Sequence, residues 1–299
     1  MTYILYNPLA GNGEGKSVAE MLEVVTHDEV NLVDMTKITN YGAFLSDKSN
    51  DSIIICGGDG TLNHFINDTA TLELKNDIFY FAAGNGNDFL RDLGITEQNE
   101  PVHINEYIEE LPVCEVNGKR YRFINNVGFG IDGYCSETGD ELRKTSNKPV
   151  NYTSIAVKGL LRRYKPTKAK ITVDGVTSDY ERVWLAPTMN GRFYGGGMMP
   201  TPKQNRMDPE HKLSVFLFHH SGKLKTLMIF PRIFSGKHLT HKDVATVLCG
   251  KEIKVEFDKP RTVQIDGETI KNVRAYSVYG YGTSHNRTNR FYATHAAGY

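Results

Sequence analysis

The sequence predicts two domains: an N-terminal α/β domain with a parallel sheet, then a C-terminal antiparallel domain of β-sandwich type. Three observations carry that prediction. Across residues 1–110, strand patterns alternate with helix patterns. Beyond residue 112, strand patterns follow one another directly, with the hairpin signals Asn117-Gly118 and Asp174-Gly175 between alternating apolar residues. The length, 299 residues, is about twice the usual ~150-residue domain prior. These place an α/β domain at 1–120, a β-sandwich domain at 121–280 and a polar tail at 281–299.

The elements follow in chain order. Residues 3–7 form a short apolar strand, and a glycine-rich loop runs from Pro8 to Gly15. Val18, Met21, Leu22 and Val25 then recur at i, i+3, i+4 and i+7, one face of a helix. A second strand covers 30–35, and Tyr41, Phe44 and Leu45 repeat the helical spacing. A strand is expected over 52–56, where Ile53-Ile54-Ile55-Cys56 is a continuous apolar run, the pattern of a strand buried on both faces. Leu62, Phe65 and Ile66 mark the helix after it, and 78–82 a fourth strand. In the second half, strands are expected at 182–187, 213–219, 253–257, 263–266 and 274–279, with helices near 152–164 and 224–234. The final stretch is aperiodic and rich in Asn, Thr and His.

Composition excludes several classes of function. Thirty-five Lys+Arg balance thirty-five Asp+Glu, which argues against a nucleic-acid binder. A hydrophobic share of 39% is too high for general disorder. The longest apolar runs are a few residues, too short to cross a bilayer, and the first eight residues read as a strand instead of a signal peptide. Cysteines at 56, 114, 135 and 249 form no CxxC pair and no zinc spacing, as for reduced thiols in a cytoplasmic protein.

Glycine-rich corners carry the chemistry. The loop Ala10-Gly11-Asn12-Gly13-Glu14-Gly15-Lys16-Ser17 matches P-loop spacing if alanine is allowed for the first glycine, or is a tight turn into a helix. The stronger signal is Gly57-Gly58-Asp59-Gly60-Thr61. There a buried strand ends in glycines, and the following helix N-terminus offers N–H groups and partial positive charge to a phosphate. An acid at that point is compatible with a bridging Mg²⁺, with a substrate proton, or with a helix cap. The same design recurs one strand later in Gly84-Asn85-Gly86-Asn87-Asp88-Phe89. In such sheets ligands bind beyond the carboxyl ends of the strands.

Asn7-Pro8 with its loop, Gly57-Gly58-Asp59-Gly60-Thr61 and Gly84-Asn85-Gly86-Asn87-Asp88-Phe89 are similar in order and spacing to the diacylglycerol kinase catalytic-domain family. That family, which includes bacterial soluble lipid kinases and is related to sphingosine kinases, lies in the NAD kinase/lipid kinase superfamily. Phe123 to Asp132 resembles the family's entry strand into its second domain, and Asp266-Gly267-Glu268 the acidic hairpin that this domain directs at the nucleotide. The resemblance implies the NAD kinase/diacylglycerol kinase-like two-domain fold and an ATP-dependent lipid kinase using Mg²⁺. It also implies a nucleotide site of Asn7, Thr36, Gly57, Gly58, Asp59, Gly60, Thr61, Asn63, Gly84, Asn85, Gly86, Asn87 and Asp88. Glu268 becomes the general base, with Asp266 orienting Mg²⁺ or its water and Asp59 engaging Mg²⁺ or the acceptor alcohol.

Two positions depart from the family pattern. Asn85 stands where threonine is usual. The loop 207–213 lacks the glycine of the family's structural Mg²⁺ site, although Asp208 and Glu210 can still supply oxygens. Asn105-Glu106 resembles an NAD kinase signature, so NAD kinase is one alternative and a nucleotide-binding regulatory module without transfer activity is another. A lipid substrate calls for transient membrane contact, and for a cytoplasmic protein peripheral at the membrane; the basic stretch 158–170 reads either as a solvated helix end or as the patch that makes that contact. A homodimer stays open.

Overall fold

Four of the strands expected from the first half assemble one sheet. The computed structural model describes residues 1–26, 29–83, 87–145, 152–159 and 164–285. In it β1 (Thr2–Tyr6), β2 (Val30–Asp34), β3 (Ser52–Gly57) and β4 (Ile78–Ala82) run parallel in the order β2-β1-β3-β4. The connecting helices are α1 (Gly15–Val25), α2 (Tyr41–Leu45) and α3 (Asp59–Asp68), followed after β4 by α4 (Asp88–Asp92). Ile53, Ile55 and Cys56 of β3 are fully buried, which accounts for its unbroken apolar run. Ile54 and Cys56 pack with Ala19 and Leu22 of α1.

The sheet is not purely parallel. A two-residue strand, β5 (Val102–His103), pairs antiparallel with β4, and α5 (Asn105–Ile108) follows it. Two residues are too few for a periodic pattern. Asn105 fixes this edge: its side chain accepts the Ile78 N–H at 2.7 Å and donates to the Asn76 carbonyl at 2.8 Å. The residue that suggested an NAD kinase signature therefore has a structural task.

The chain divides between Glu110 and Leu111, ahead of the boundary at 120 read from the sequence. The cause is β6 (Val113–Val116), which pairs with β7 (Lys119–Arg122) and with the C-terminal strand β15 (Glu268–Tyr279). Between them come β8 (Asn126–Phe129), α6 (Ile131–Thr145), α7 (Tyr152–Lys158), β9 (Thr167–Val173), β10 (Val176–Val183), β11 (Thr188–Met189), β12 (Leu213–Phe218), α8 (Lys223–Ile229), β13 (Ala245–Gly250) and β14 (Glu252–Ile265). All pairings in this unit are antiparallel. Its three Asn-Gly and Asp-Gly hairpin turns hold both central residues at positive φ, as the type I′ turn requires.

The two strands expected at 253–257 and 263–266 are halves of one, β14. Its first half pairs with β9 and its second with β8, and the register against β15 breaks between Glu256 and Val263, around Pro260. Proline donates no ladder hydrogen bond and sits at such irregularities. The bend lets β14 serve both neighbours, and Phe257 stacks on Phe129 with ring centroids 3.9 Å apart inside the core.

Other expectations need correction. The entry strand at 123–132 covers only Asn126–Phe129, because Gly130 turns the chain at φ +113° into α6. Helix α6 escaped the pattern because it carries glycines. Gly133 is required there: a Cβ would lie 1.7 Å from the Thr262 carbonyl oxygen, so only glycine lets the helix approach β14. The strand expected at 182–187 is the end of β10, a left-handed Arg182 and a bridge at Leu185. The helix near 224–234 is α8 followed by a 3₁₀ turn over Phe230–Ser235. Of the basic stretch, 160–163 lie outside the described residues, as does most of the tail; Lys168 pairs with Glu181 at 2.7 Å. Among the described residues no helix is long and apolar enough to cross a membrane.

Candidate active site

The ends of β1 and β3 are tied together by side chains. Asn7, just past β1, donates from Nδ2 to Thr61 Oγ1 at 3.3 Å, and its Oδ1 accepts the Leu9 N–H at 2.9 Å. Residues 10–13 coil into one 3₁₀ turn, and a Cβ on Gly15 would lie 2.0 Å from the Asn7 carbonyl oxygen. The glycine-rich loop is thus a packed turn into α1, the second of the two readings its spacing allowed, and not an open P-loop.

Each glycine of the β3 corner has a different job. A Cβ on Gly57 would come within 2.4–2.5 Å of the Thr61 side chain, while at Gly58 and Gly60 it would meet nothing within 4 Å. Gly57 is therefore required by packing, and the other two leave open space at the start of α3. The residue before the helix, Gly58, has no side chain with which to cap it, and a helix N-terminus carries N–H groups that an anion can accept from. Gly57 is also the joint to β4: its carbonyl accepts the Tyr80 hydroxyl at 3.0 Å and the Ala83 N–H at 2.9 Å.

Asp59 does cap a helix, but not its own. Its Oδ2 accepts the Asp88 N–H at 2.9 Å and its Oδ1 the Phe89 N–H at 3.4 Å, at the N-terminus of α4. A carboxylate there is favoured by the helix dipole and the exposed N–H groups. The bond joins the two glycine-bearing corners and sets the carboxylates of Asp59 and Asp88 at one helix start. Burial, and then the charge of Asp59, push the phenol of Tyr80 well above its ordinary range. Asn87 is the residue before α4, and Asp88 is buried.

The remaining expected residues of this unit fall in three groups. Thr61 and Asn63 are buried, Asn63 accepting at both its carbonyl and Oδ1 from Asn67 Nδ2. Thr36 is exposed beyond β2, and its hydroxyl donates to Asp34 Oδ1 at 2.6 Å. That hydroxyl closes a local turn and is not joined to Asn7, Thr61 or Asp59 by a described bond. Gly84, Asn85 and Gly86 lie outside the described residues.

In the second unit, Asp266 and Glu268 play unlike parts. Asp266 is buried at φ +45°, and its carboxylate accepts three backbone N–H groups, from Ile124 at 2.6 Å, Asn125 at 2.9 Å and Asn126 at 2.8 Å. Arg206 and Asn190 hold the Ile124 carbonyl from the other side, each at 3.0 Å. Asp266 thus fixes the segment before β8. Glu268 is exposed at the first position of β15. Asp266→Ala is expected to cost about 3–5 kcal/mol, because three buried N–H groups lose a charged acceptor; the denaturant midpoint measures it.

Asp208 and Glu210 stand in an exposed loop. Asp208 Oδ1 accepts the N–H groups of Glu210 at 2.9 Å and Lys212 at 3.3 Å, and the Glu210 carboxylate pairs with Lys212 Nζ. Among the described residues no group of three or more His, Cys, Asp or Glu gathers into a metal cluster.

One buried acid has no role that the sequence pattern assigns. Asp132, at the start of α6, accepts the Tyr194 hydroxyl at 2.9 Å on Oδ1, while its Oδ2 is buried without a hydrogen bond. Burial raises its carboxyl to about 8, against the smaller lowering effect of the Tyr194 bond. The signal was an aspartate inside an apolar stretch. Because the folded state holds this proton more tightly than the unfolded chain, the group's contribution falls as pH rises from about 4 to about 8. Asp132→Asn is therefore expected to gain stability relative to the parent at about pH 8 and to lose that advantage toward about pH 4, as measured by urea unfolding.

Comparison with known proteins agrees with this architecture unit by unit. Residues 1–114 match the family model described as the diacylglycerol kinase catalytic domain. Residues 125–278 match the YegS C-terminal NAD kinase beta sandwich-like domain. A Mycobacterium tuberculosis protein named diacylglycerol kinase is 25% identical over 265 residues, covering 84% of each chain. A solved diacylglycerol kinase structure from Bacillus anthracis has a TM-score of 0.60 at 21% identity, covering 94% of each chain, a likeness of fold. The two family models, over residues 1–114 and 125–278, together span most of the chain in that order, and the chain belongs to the diacylglycerol kinase family of lipid kinases.

Proposed function

We propose that this chain transfers the γ-phosphate of ATP to the hydroxyl of a lipid, with diacylglycerol as the acceptor class. The observation that carries this reading is the bond from Asp59 to the first N–H groups of α4, which joins two glycine-bearing corners at neighbouring strand ends. Phosphoryl transfer asks a protein mainly for positioning and charge stabilisation. The start of α3, bare at Gly58 and Gly60, offers backbone N–H groups at close range to a triphosphate. Asn7 and Thr61 brace that corner, and the loop 84–87 completes the nucleotide site.

The donors of Asp59 and Asp88 suit Mg²⁺, which is commonly held through one or two carboxylates together with substrate phosphates. When bound, the ion neutralises charge on the phosphate oxygens. In this reading Asp59 engages Mg²⁺ or the acceptor alcohol and Glu268 takes the proton from the acceptor hydroxyl, with Asp266 positioning its hairpin. The protein works in the cytoplasm, in transient contact with a membrane surface.

Transfer from labelled ATP with Mg²⁺ to diacylglycerol, phosphatidylglycerol, a long-chain base and NAD⁺ tests the proposal. Label is expected in a lipid, most in diacylglycerol; label in NAD⁺ alone, or in nothing, overturns it. In the same assay Gly58→Ala is expected to raise the KM for ATP about tenfold or more at an unchanged melting temperature, since its methyl group meets no protein atom. An unchanged KM removes Gly58 from the nucleotide site.

A further inference from the structure

The segment 221–242 has two unlike faces. Thr226 and Ile229 of α8, with Phe230 and Ile233 beyond it, are buried, and the three apolar ones pack against Trp184, Phe216 and Phe218. On the opposite side of the helix, Leu224 is 80% exposed and Met228, one turn on, 72% exposed. Phe234 in the 3₁₀ turn is exposed as well. Fold stability gives no reason for large apolar side chains in water at i and i+4. The same segment contains Lys223, Lys225, Arg232, Lys237 and Lys242 and no acid, in a chain whose formal charge is zero. Arg232 Nη1 lies 2.9 Å from His241 Nε2, which holds the guanidinium at this surface. Asp243, the first acid after the segment, pairs with Lys225.

A second exposed apolar stripe provides the contrast. Met21, Val24 and Val25 on α1 stand beside Glu20 and Glu23, so an anionic surface would repel that helix. The described α8 segment joins exposed apolar side chains to clustered positive charge, the pairing that favours the interface of an anionic bilayer. We infer that α8 and the 3₁₀ turn after it are the membrane-docking surface of this protein, with Leu224, Met228 and Phe234 entering an anionic bilayer and Arg232, Lys237 and Lys242 facing its headgroups. The inference rests on the lipid-kinase reading for its purpose, and it moves the expected contact from the stretch 158–170, where Lys168 is paired with Glu181.

Flotation of the full chain with vesicles tests the surface directly, without any need for turnover. The chain is expected to float with vesicles of phosphatidylglycerol and phosphatidylcholine in equal parts, and to float less with phosphatidylcholine alone or at high salt. The double variant Leu224→Gln/Met228→Gln is expected to weaken partition about tenfold or more. Lys237→Glu/Lys242→Glu should weaken it at least about fivefold per charge. Both variants should phosphorylate a short-chain, water-soluble diacylglycerol at the parent rate. If that substrate fails with the parent while vesicle binding behaves as stated, the kinase reading falls and the docking surface stands. Absence of parent binding, or parent-like binding by both variants, overturns the surface. So does a drop in mass by light scattering in Leu224→Gln/Met228→Gln, which would mark the face as the seat of a second copy of this chain.

Discussion

Asp59→Asn is expected to lower phosphoryl transfer about 10²–10³-fold or more while leaving the fold in place, because it removes the charge but keeps an oxygen to accept from α4. Asp59→Ala should match that loss and add a stability cost of about 1–2 kcal/mol, the usual effect of removing a helix cap. The pair separates two roles that the geometry superimposes. A loop acid at a strand end ordinarily contributes little packing. The bonds to Asp88 and Phe89 revise that, since truncation frees the start of α4 from the β3 corner. Labelled-ATP transfer and thermal unfolding of both variants decide the matter. Near-normal turnover by Asp59→Asn would leave Asp59 as scaffold only.

Glu268→Gln is expected to reduce the catalytic rate by about 10²-fold or more with little change in the KM for ATP, the effect of removing a general base without disturbing nucleotide binding. The exposed start of β15 tolerates the amide, so the melting temperature should not move. A rate close to the parent's would assign proton removal to Asp59. Asp266→Ala offers a contrast: its loss should appear first as instability, with activity falling as the hairpin loosens. A stable Asp266→Ala protein with no activity would restore a direct role for Asp266 in the reaction.

Much of the fold was legible in the chain. The four parallel strands of the first sheet were visible because each is a short local run rich in apolar residues, and the hairpin turns because Asn-Gly and Asp-Gly suit positive φ at both central positions. Helix α6 was hidden for the opposite reason, since Gly133 weakens a helical pattern and is needed only where Thr262 lies against it. The bend in β14 was read as a break between two strands. Strand β5 was missed because two residues hold no period.

The local pattern thus determined the kinds of element, the division into two domains and the two glycine corners at the ends of β3 and β4, since each depends on residues a few positions apart. Only the folded chain decided what the acids do. Asp59 meets α4 across 29 positions, and Asp266 meets Ile124 across 142. Asp132 becomes hard to ionise only once it is enclosed. A carboxylate's role is set by which N–H groups and how much water surround it, and those neighbours are brought together by tertiary packing.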